Sequence, residues 1–256
     1  MKARHASHLA LSTAAALLFL AAGASAQEKH QKEPRIEPAS IAALKTMGEH
    51  LQSLQNFTIK ASTSAEVVLD TDQKLEIGSE ATYQVKRPDH LRIDLLTDVV
   101  HGELVYDGKT LIYASPEQKT YAQVPAPPTI KETLERAAQR YNLSFPLADL
   151  FAWGTRDAPT DIIREGFFVG HAFVDGKETD HWAFRGPDQD AEIWIATQGS
   201  PLPLKISLVD REDLTRPRIT TVLQWTENAD IPADTFEYKP PEGSERIGFV
   251  GEEDKK

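Results

Sequence analysis

The chain has 256 residues, a net charge of −11 at neutral pH and no cysteine. So acidic a chain is repelled by nucleic acid and by anionic membrane surfaces, and neither is an expected partner. The lack of cysteine excludes disulfides, thiolate metal sites and cysteine nucleophiles, as well as the lipid-bearing cysteine of a lipoprotein.

The first 26 residues read as a cleaved secretory signal peptide. Lys2 and Arg4 make a positive start, residues 9–23 are apolar, and Ala24-Ser25-Ala26 is a small-residue cleavage pattern. The apolar run is too short and alanine-rich for a membrane span. The mature chain is therefore expected to be exported and soluble, with no integral membrane span. Residues 27–35 are polar and charged and read as a flexible lead-in.

A helix is expected from Pro38, since Ile41, Leu44, Met47, Leu51 and Leu54 recur at steps of three and four. Residues 57–69 and 75–85 read as two strands around a turn at residues 70–73. Residues 83–128 then form the organising stretch, four short strands joined by tight turns. Leu91, Ile93 and Leu95 alternate with His90, Arg92 and Asp94, which predicts one buried and one wet face. Asp107-Gly108 lies between two apolar runs and is expected to supply the positive φ angles of a two-residue hairpin turn.

Pro125, Pro127 and Pro128 end this meander, because proline has no backbone donor for a sheet. Thr129-Ile130-Lys131-Glu132 has the form of a capping box. The helix it opens places Ile130, Leu134, Ala137, Ala138 and Tyr141 on one side. Residues 147–153 read as a second short helix stopped by Gly154, and residues 159–164 as a further helical turn. Strands resume near Phe167, and Val174-Asp175-Gly176-Lys177 repeats the hairpin chemistry of Tyr106-Asp107-Gly108-Lys109. Nine to eleven strands with few helices predict a mainly β domain of α+β type: an incomplete antiparallel barrel or half-barrel, covered by a few helices. One domain is expected over residues 36–248, with a disordered acidic tail at 249–256.

No catalytic motif is present: there is no Gly-x-Ser-x-Gly elbow, phosphate loop or dinucleotide fingerprint. The chain reads as a non-enzyme without cofactor or metal. His171 and His181 flank the second hairpin turn, but on adjacent rungs, because His171 should face Asp180. Trp153, Trp182, Trp194 and Trp225 each read first as core anchors, although as a group they can line a cavity. Arg92 faces outward if Leu91 and Ile93 face inward; a bulge at Pro88 would reverse it.

The order of the segments carries a resemblance. A signal peptide and an amphipathic helix precede Arg87-Pro88-Asp89-His90-Leu91-Arg92, Asp107-Gly108-Lys109-Thr110-Leu111-Ile112-Tyr113 and Ser115-Pro116-Glu117-Gln118-Lys119. Together these resemble the periplasmic lipoprotein-carrier superfamily (LolA/LolB-like), and within it the predicted periplasmic proteins of domain of unknown function 2092. The resemblance implies a curved sheet with helices as a lid over an apolar cavity. It also implies a lipid or acylated ligand and an arginine that holds the lid. The matching position here is Arg92, with Leu91 in place of the carrier's aromatic residue. Candidate cavity and lid residues are Leu91, Arg92, Ile93, Ile130, Leu134, Tyr141, Trp153 and Trp225. The function expected is a carrier or sensor of an apolar ligand; the alternative is a filled-core module that binds an envelope protein partner. N-terminal sequencing of the exported protein should begin at Gln27, and protein retained with Met1 would refute the leader.

Overall fold

A computed structural model describes residues 36–98, 100–143 and 147–249. The expected leader and lead-in, and all of the expected tail after Phe249, lie outside the described residues. Helix α1 runs over Pro38–Ser53 and α2 over Ile130–Tyr141. The first six strands are β1 (Asn56–Val68), β2 (Lys74–Lys86), β3 (His90–Thr97), β4 (His101–Tyr106), β5 (Thr110–Ser115) and β6 (Thr120–Pro125). After α2 come β7 (Glu165–Val174), β8 (Lys177–Arg185), β9 (Gln189–Ala196), β10 (Pro203–Asp210), β11 (Arg218–Glu227) and β12 (Glu245–Ile247).

All twelve strands form one sheet in the order β12-β6-β5-β4-β3-β2-β1-β11-β10-β9-β8-β7. Each pairing is antiparallel except β12 with β6. The sheet stays open, with β12 and β7 at its two ends, so the half-barrel expected from sequence is the architecture found.

Alternation assigns the faces. Phe57, Ile59 and Ala61 of β1, Ala81, Tyr83 and Val85 of β2, and Leu91 and Ile93 of β3 are all buried on one side. Leu44, Met47 and Leu51 of α1 and Ile130, Leu134 and Ala137 of α2 join them in one apolar cluster. Each such aliphatic side chain is worth about 1.5–3 kcal/mol when withdrawn from water. This is the inner face. Ala138 is exposed, so the buried stripe of α2 is narrower than its sequence predicts.

Helix α1 is slung between distant strands. At its start, Glu37 N donates to Gly166 O (2.7 Å) and the Glu37 carboxylate accepts from Phe168 N (3.1 Å), both on β7. Near its end His50 meets Glu227 of β11 at 2.8 Å. Its middle presses on the segment before β7. A Cβ on Gly48 would lie 2.5 Å from Gly154 N, and Gln52 Nε2 donates to Trp153 O (2.7 Å). That segment contains a 3-10 turn at Ala148–Phe151 rather than a fuller helix, because Leu147 and Gly154 at its ends both take left-handed backbone (φ 64° and 82°). Residues 159–162 form turns only.

Thr129 caps α2 as expected, its hydroxyl accepting from Glu132 N at 3.3 Å. The two Asp-Gly hairpins differ from each other. Asp175 and Gly176 both have positive φ (48° and 75°) between the paired Val174 and Lys177, the arrangement expected of an Asp-Gly turn. In the first hairpin only Gly108 does (φ 87°), and the central pair is Gly108-Lys109, one residue later than expected. Asp107 stays at the strand end, where its carboxylate accepts from Lys109 N (3.0 Å) and Thr110 N (2.7 Å).

The segment after β11 packs on the sheet, and Phe249, where the disordered tail is expected from sequence to begin, is buried. Ile231 and Phe236 are buried against the outer face together with Val105 and Ala114, apart from the main cluster. Tyr238 packs on Tyr121 (5.6 Å between ring centroids), β12 pairs with the β6 edge, and Phe249 stacks on Tyr141 of α2 at 4.5 Å. The segment thus rounds the β6 edge from the outer face to the inner one. Gly48→Ala should destabilise the protein by about 2 kcal/mol, because the added carbon meets backbone that cannot move aside. A chemical denaturation midpoint equal to wild type would show that α1 is not pressed against that segment.

Candidate ligand-binding face

The inner face carries most of the residues singled out from sequence. Leu91, Ile93, Ile130 and Leu134 lie in the apolar cluster, and Tyr141, Trp153 and Trp225 pack against it half-buried. Trp225 donates its indole N–H to Pro203 O at 2.8 Å, which orients the ring beside Phe57.

Arg92 is the exception. The β2–β3 register runs without a shift from Lys86↔His90 to Ser79↔Thr97, so no bulge reverses the alternation and Arg92 points outward. There it meets Asp94 (3.2 Å) and Glu103 (3.0 Å) and donates to Thr235 O (3.5 Å). Burial opposes its charge, but the two carboxylates outweigh burial and hold its pKa above the ordinary guanidinium value. It borders a cleft of about 300 Å³ beneath the C-terminal segment, shared with Glu103, Lys119 and Tyr238. It lies on the face of the sheet opposite α2 and does not touch that helix.

The arginine on the inner side is Arg87, which sequence reasoning passed over. It sits in the short turn between β2 and β3. Its guanidinium lies over Phe57 (5.9 Å) and Phe151 (5.4 Å), and Nη2 reaches Leu51 O at the end of α1 (3.5 Å). Its Nε is buried without a partner among the described residues, and no carboxylate pairs with it there. Burial alone lowers its pKa. Arg87 therefore joins the end of α1, the 3-10 turn and the start of β1 through a costly, unneutralised cation.

The inner face also extends beyond its helices. On one rung the register aligns Ile77, Ala65, Ile219, Leu208, Ala191 and Phe184, six apolar side chains on six neighbouring strands. Phe184 is buried, whereas Ile219 is 45% exposed. Val67 and Leu75, the next pair outward, are 42% and 37% exposed. An apolar track therefore leads from the core into water.

Elsewhere the polar residues pair with each other. His171 meets Asp180 at 2.9 Å, as its predicted register requires, and His181 meets Glu192 at 2.9 Å. Among the described residues no three His, Cys, Asp or Glu side chains come together to hold a metal ion.

The family profile described as "Predicted periplasmic protein (DUF2092)" matches residues 40–250. The chain belongs to this family. No curated protein matches it. Among solved structures, lipoprotein LppX of Mycobacterium tuberculosis is 13% identical, with 77% of this chain and 100% of that chain covered at a TM-score of 0.46. An uncharacterized conserved protein from Thermus thermophilus is 8% identical, with 82% and 99% covered at 0.46. A LolA superfamily protein from Nitrosomonas europaea is 11% identical, with 78% and 97% covered at 0.35. The family's description is periplasmic, and among the described residues of this DUF2092 chain no helix is long and apolar enough to cross a membrane.

If the Arg87 cation stabilises nothing by itself, a side chain of similar length and no charge will pack better. Arg87→Met should raise the melting temperature by a few degrees, because it removes the cost of burying an unpaired charge. A fall of several degrees would mean that the contacts to Leu51 O and the two rings outweigh that cost.

Proposed function

We propose that this DUF2092 protein is a non-enzymatic periplasmic carrier or sensor of a lipidic ligand. The ligand lies between the inner face of the sheet and helices α1 and α2. The observation that carries this reading is the apolar rung from Phe184 to Ile77, which begins at buried Phe184 and passes through exposed Ile219 to half-buried Ile77. A sixteen-carbon chain gains about 12 kcal/mol by leaving water, and a soluble carrier needs a dry surface of that worth. The helices that cover the buried end of the track are the parts that move.

Helix α2 is the lid. Its buried residues are Ile130, Thr133, Leu134 and Ala137, and it is further tied by Ile130 N to Pro88 O (2.9 Å), by Lys131 to Asp157 (3.0 Å) and by Tyr141 stacked on Phe249. Arg87 takes the holding role that the resemblance assigned to Arg92, but at the end of α1. Leu91, Ile93, Tyr141, Trp153 and Trp225 line the space that opens. The protein acts in the periplasm, as its family's description has it.

One observation favours a second reading, a filled-core module for an envelope protein partner. Strand β7 ends the sheet, and its Phe167, Phe168, Val169 and Phe173 are exposed. Such an edge is a template for pairing with another strand.

Mass spectrometry of organic extracts from gently purified protein separates the two, since only a carrier retains lipid. Leu134→Glu should then weaken binding of an apolar probe at least about tenfold while the fold persists, because a lid can lift without unfolding the sheet. Loss of the fold would make α2 a fixed core helix; a folded variant with unchanged binding would remove the cavity.

A further inference from the structure

The inner face is banded. One rung is apolar and covered: Leu223, Ala61, Ala81 and Leu95. The next consists of hydroxyls: Thr221, Thr63, Ser79 and Thr97. Beyond it the face is apolar again, with Ile219, Ala65 and Ile77 on the open rung and Val67 and Leu75 at the tip. None of these side chains is ionisable. Alternation sends the nearby Lys60 and Lys205 to the other face.

The hydroxyl rung has spare donors. Thr63 and Thr221 share a single hydrogen bond between their hydroxyls (2.9 Å), so one of the two O–H groups remains uncommitted. Among the described residues the Ser79 hydroxyl has no partner. Thr97 is spent on Val100, donating to its carbonyl (3.2 Å) and accepting from its N–H (2.9 Å). Thr221 is buried and Thr63 and Ser79 are half-buried, so these donors are partly withheld from water. Same-face rungs lie about 7 Å apart, the length of five or six methylene groups.

We propose that Thr63, Ser79 and Thr221 form a subsite for an uncharged carbonyl set within a hydrocarbon chain, the linkage of an acyl ester or amide. The inference rests on the carrier reading and deepens it by naming the part of the ligand that is recognised. A carbonyl oxygen accepts from the spare O–H groups. Its acyl chain runs onto the covered rung, and its other substituent runs along Ile219, Ala65 and Ile77. A free carboxylate finds no cation on these rungs, and a plain alkane leaves the hydroxyls unmatched.

The test is displacement of bound N-phenyl-1-naphthylamine from the mature protein by methyl dodecanoate, dodecanoate at pH 8 and dodecane. Methyl dodecanoate should act at about a tenfold lower concentration than either of the others, the worth of one or two neutral hydrogen bonds. In Thr63→Val/Ser79→Ala/Thr221→Val that preference should vanish while dodecane is unaffected. Equal displacement by ester and alkane in the wild type overturns the subsite and leaves the carrier reading standing. Failure of the naphthylamine probe to bind overturns both. Should the triple variant not fold, the wild-type ranking of the three competitors decides the matter. A concentration-dependent dimer in size-exclusion chromatography, abolished by Ile219→Ser, would put a second copy on this face and overturn the proposal.

Discussion

The fold depends on the pairing of β1 with β11. Strand β1 sits between β2 and β11, and so joins the meander β2–β6 to the later strands β7–β11 in one sheet. Nine consecutive partners, from Phe57↔Glu227 to Ala65↔Ile219, fix that join. The partners lie more than 150 residues apart in sequence, so closing this loop costs chain entropy that only a long ladder and a buried face can offset. The inner face gains its continuity here. Slipping β1 by one residue would send Ile59 and Ala61 to water and break every rung that crosses from one half to the other.

The two faces are covered by different means. The inner face is covered by helices, which meet it through apolar side chains and leave one end open. Over β3–β6 the outer face is covered by the chain's own C-terminal segment, through Ile231, Phe236 and Tyr238. That segment protects the β6 edge with a parallel strand and then places Phe249 against Tyr141. Among the described residues the edge at β7 meets the start of α1, bridged at Ile36↔Gly166.

The two arginines of the Arg87–Arg92 stretch illustrate how charge is handled on each side. Arg92, outside, is neutralised by two carboxylates and tied to the C-terminal segment, which makes it a fixed structural element. Arg87, inside, has rings and a carbonyl but no carboxylate. It is also the one that touches the end of α1.

Much of this architecture is legible in the sequence, because it follows from local rules. Period-two alternation located β3, and turn residues bounded β1, β2 and the strands on either side of Asp107-Gly108 and Asp175-Gly176. The spacing of Leu44, Met47 and Leu51 located α1, Thr129 and Glu132 marked the start of α2, and the Asp175-Gly176 turn put His171 opposite Asp180. The positions of Leu91, Ile93, Ile130 and Leu134 on the inner face follow from the same periodicities. What sequence left open depends on partners distant in the chain. Strand β12 has three exposed residues and no alternation, so only its contact with β6 makes it a strand. The outward place of Arg92 and the inward place of Arg87 rest on an unbroken register and on Leu51, Phe57 and Phe151 converging from three elements. The hydroxyl and apolar bands exist only when β11, β1, β2 and β3 lie side by side, because each strand contributes a single residue to each rung. Local chemistry determined the elements; the long-range register decided which side chains meet.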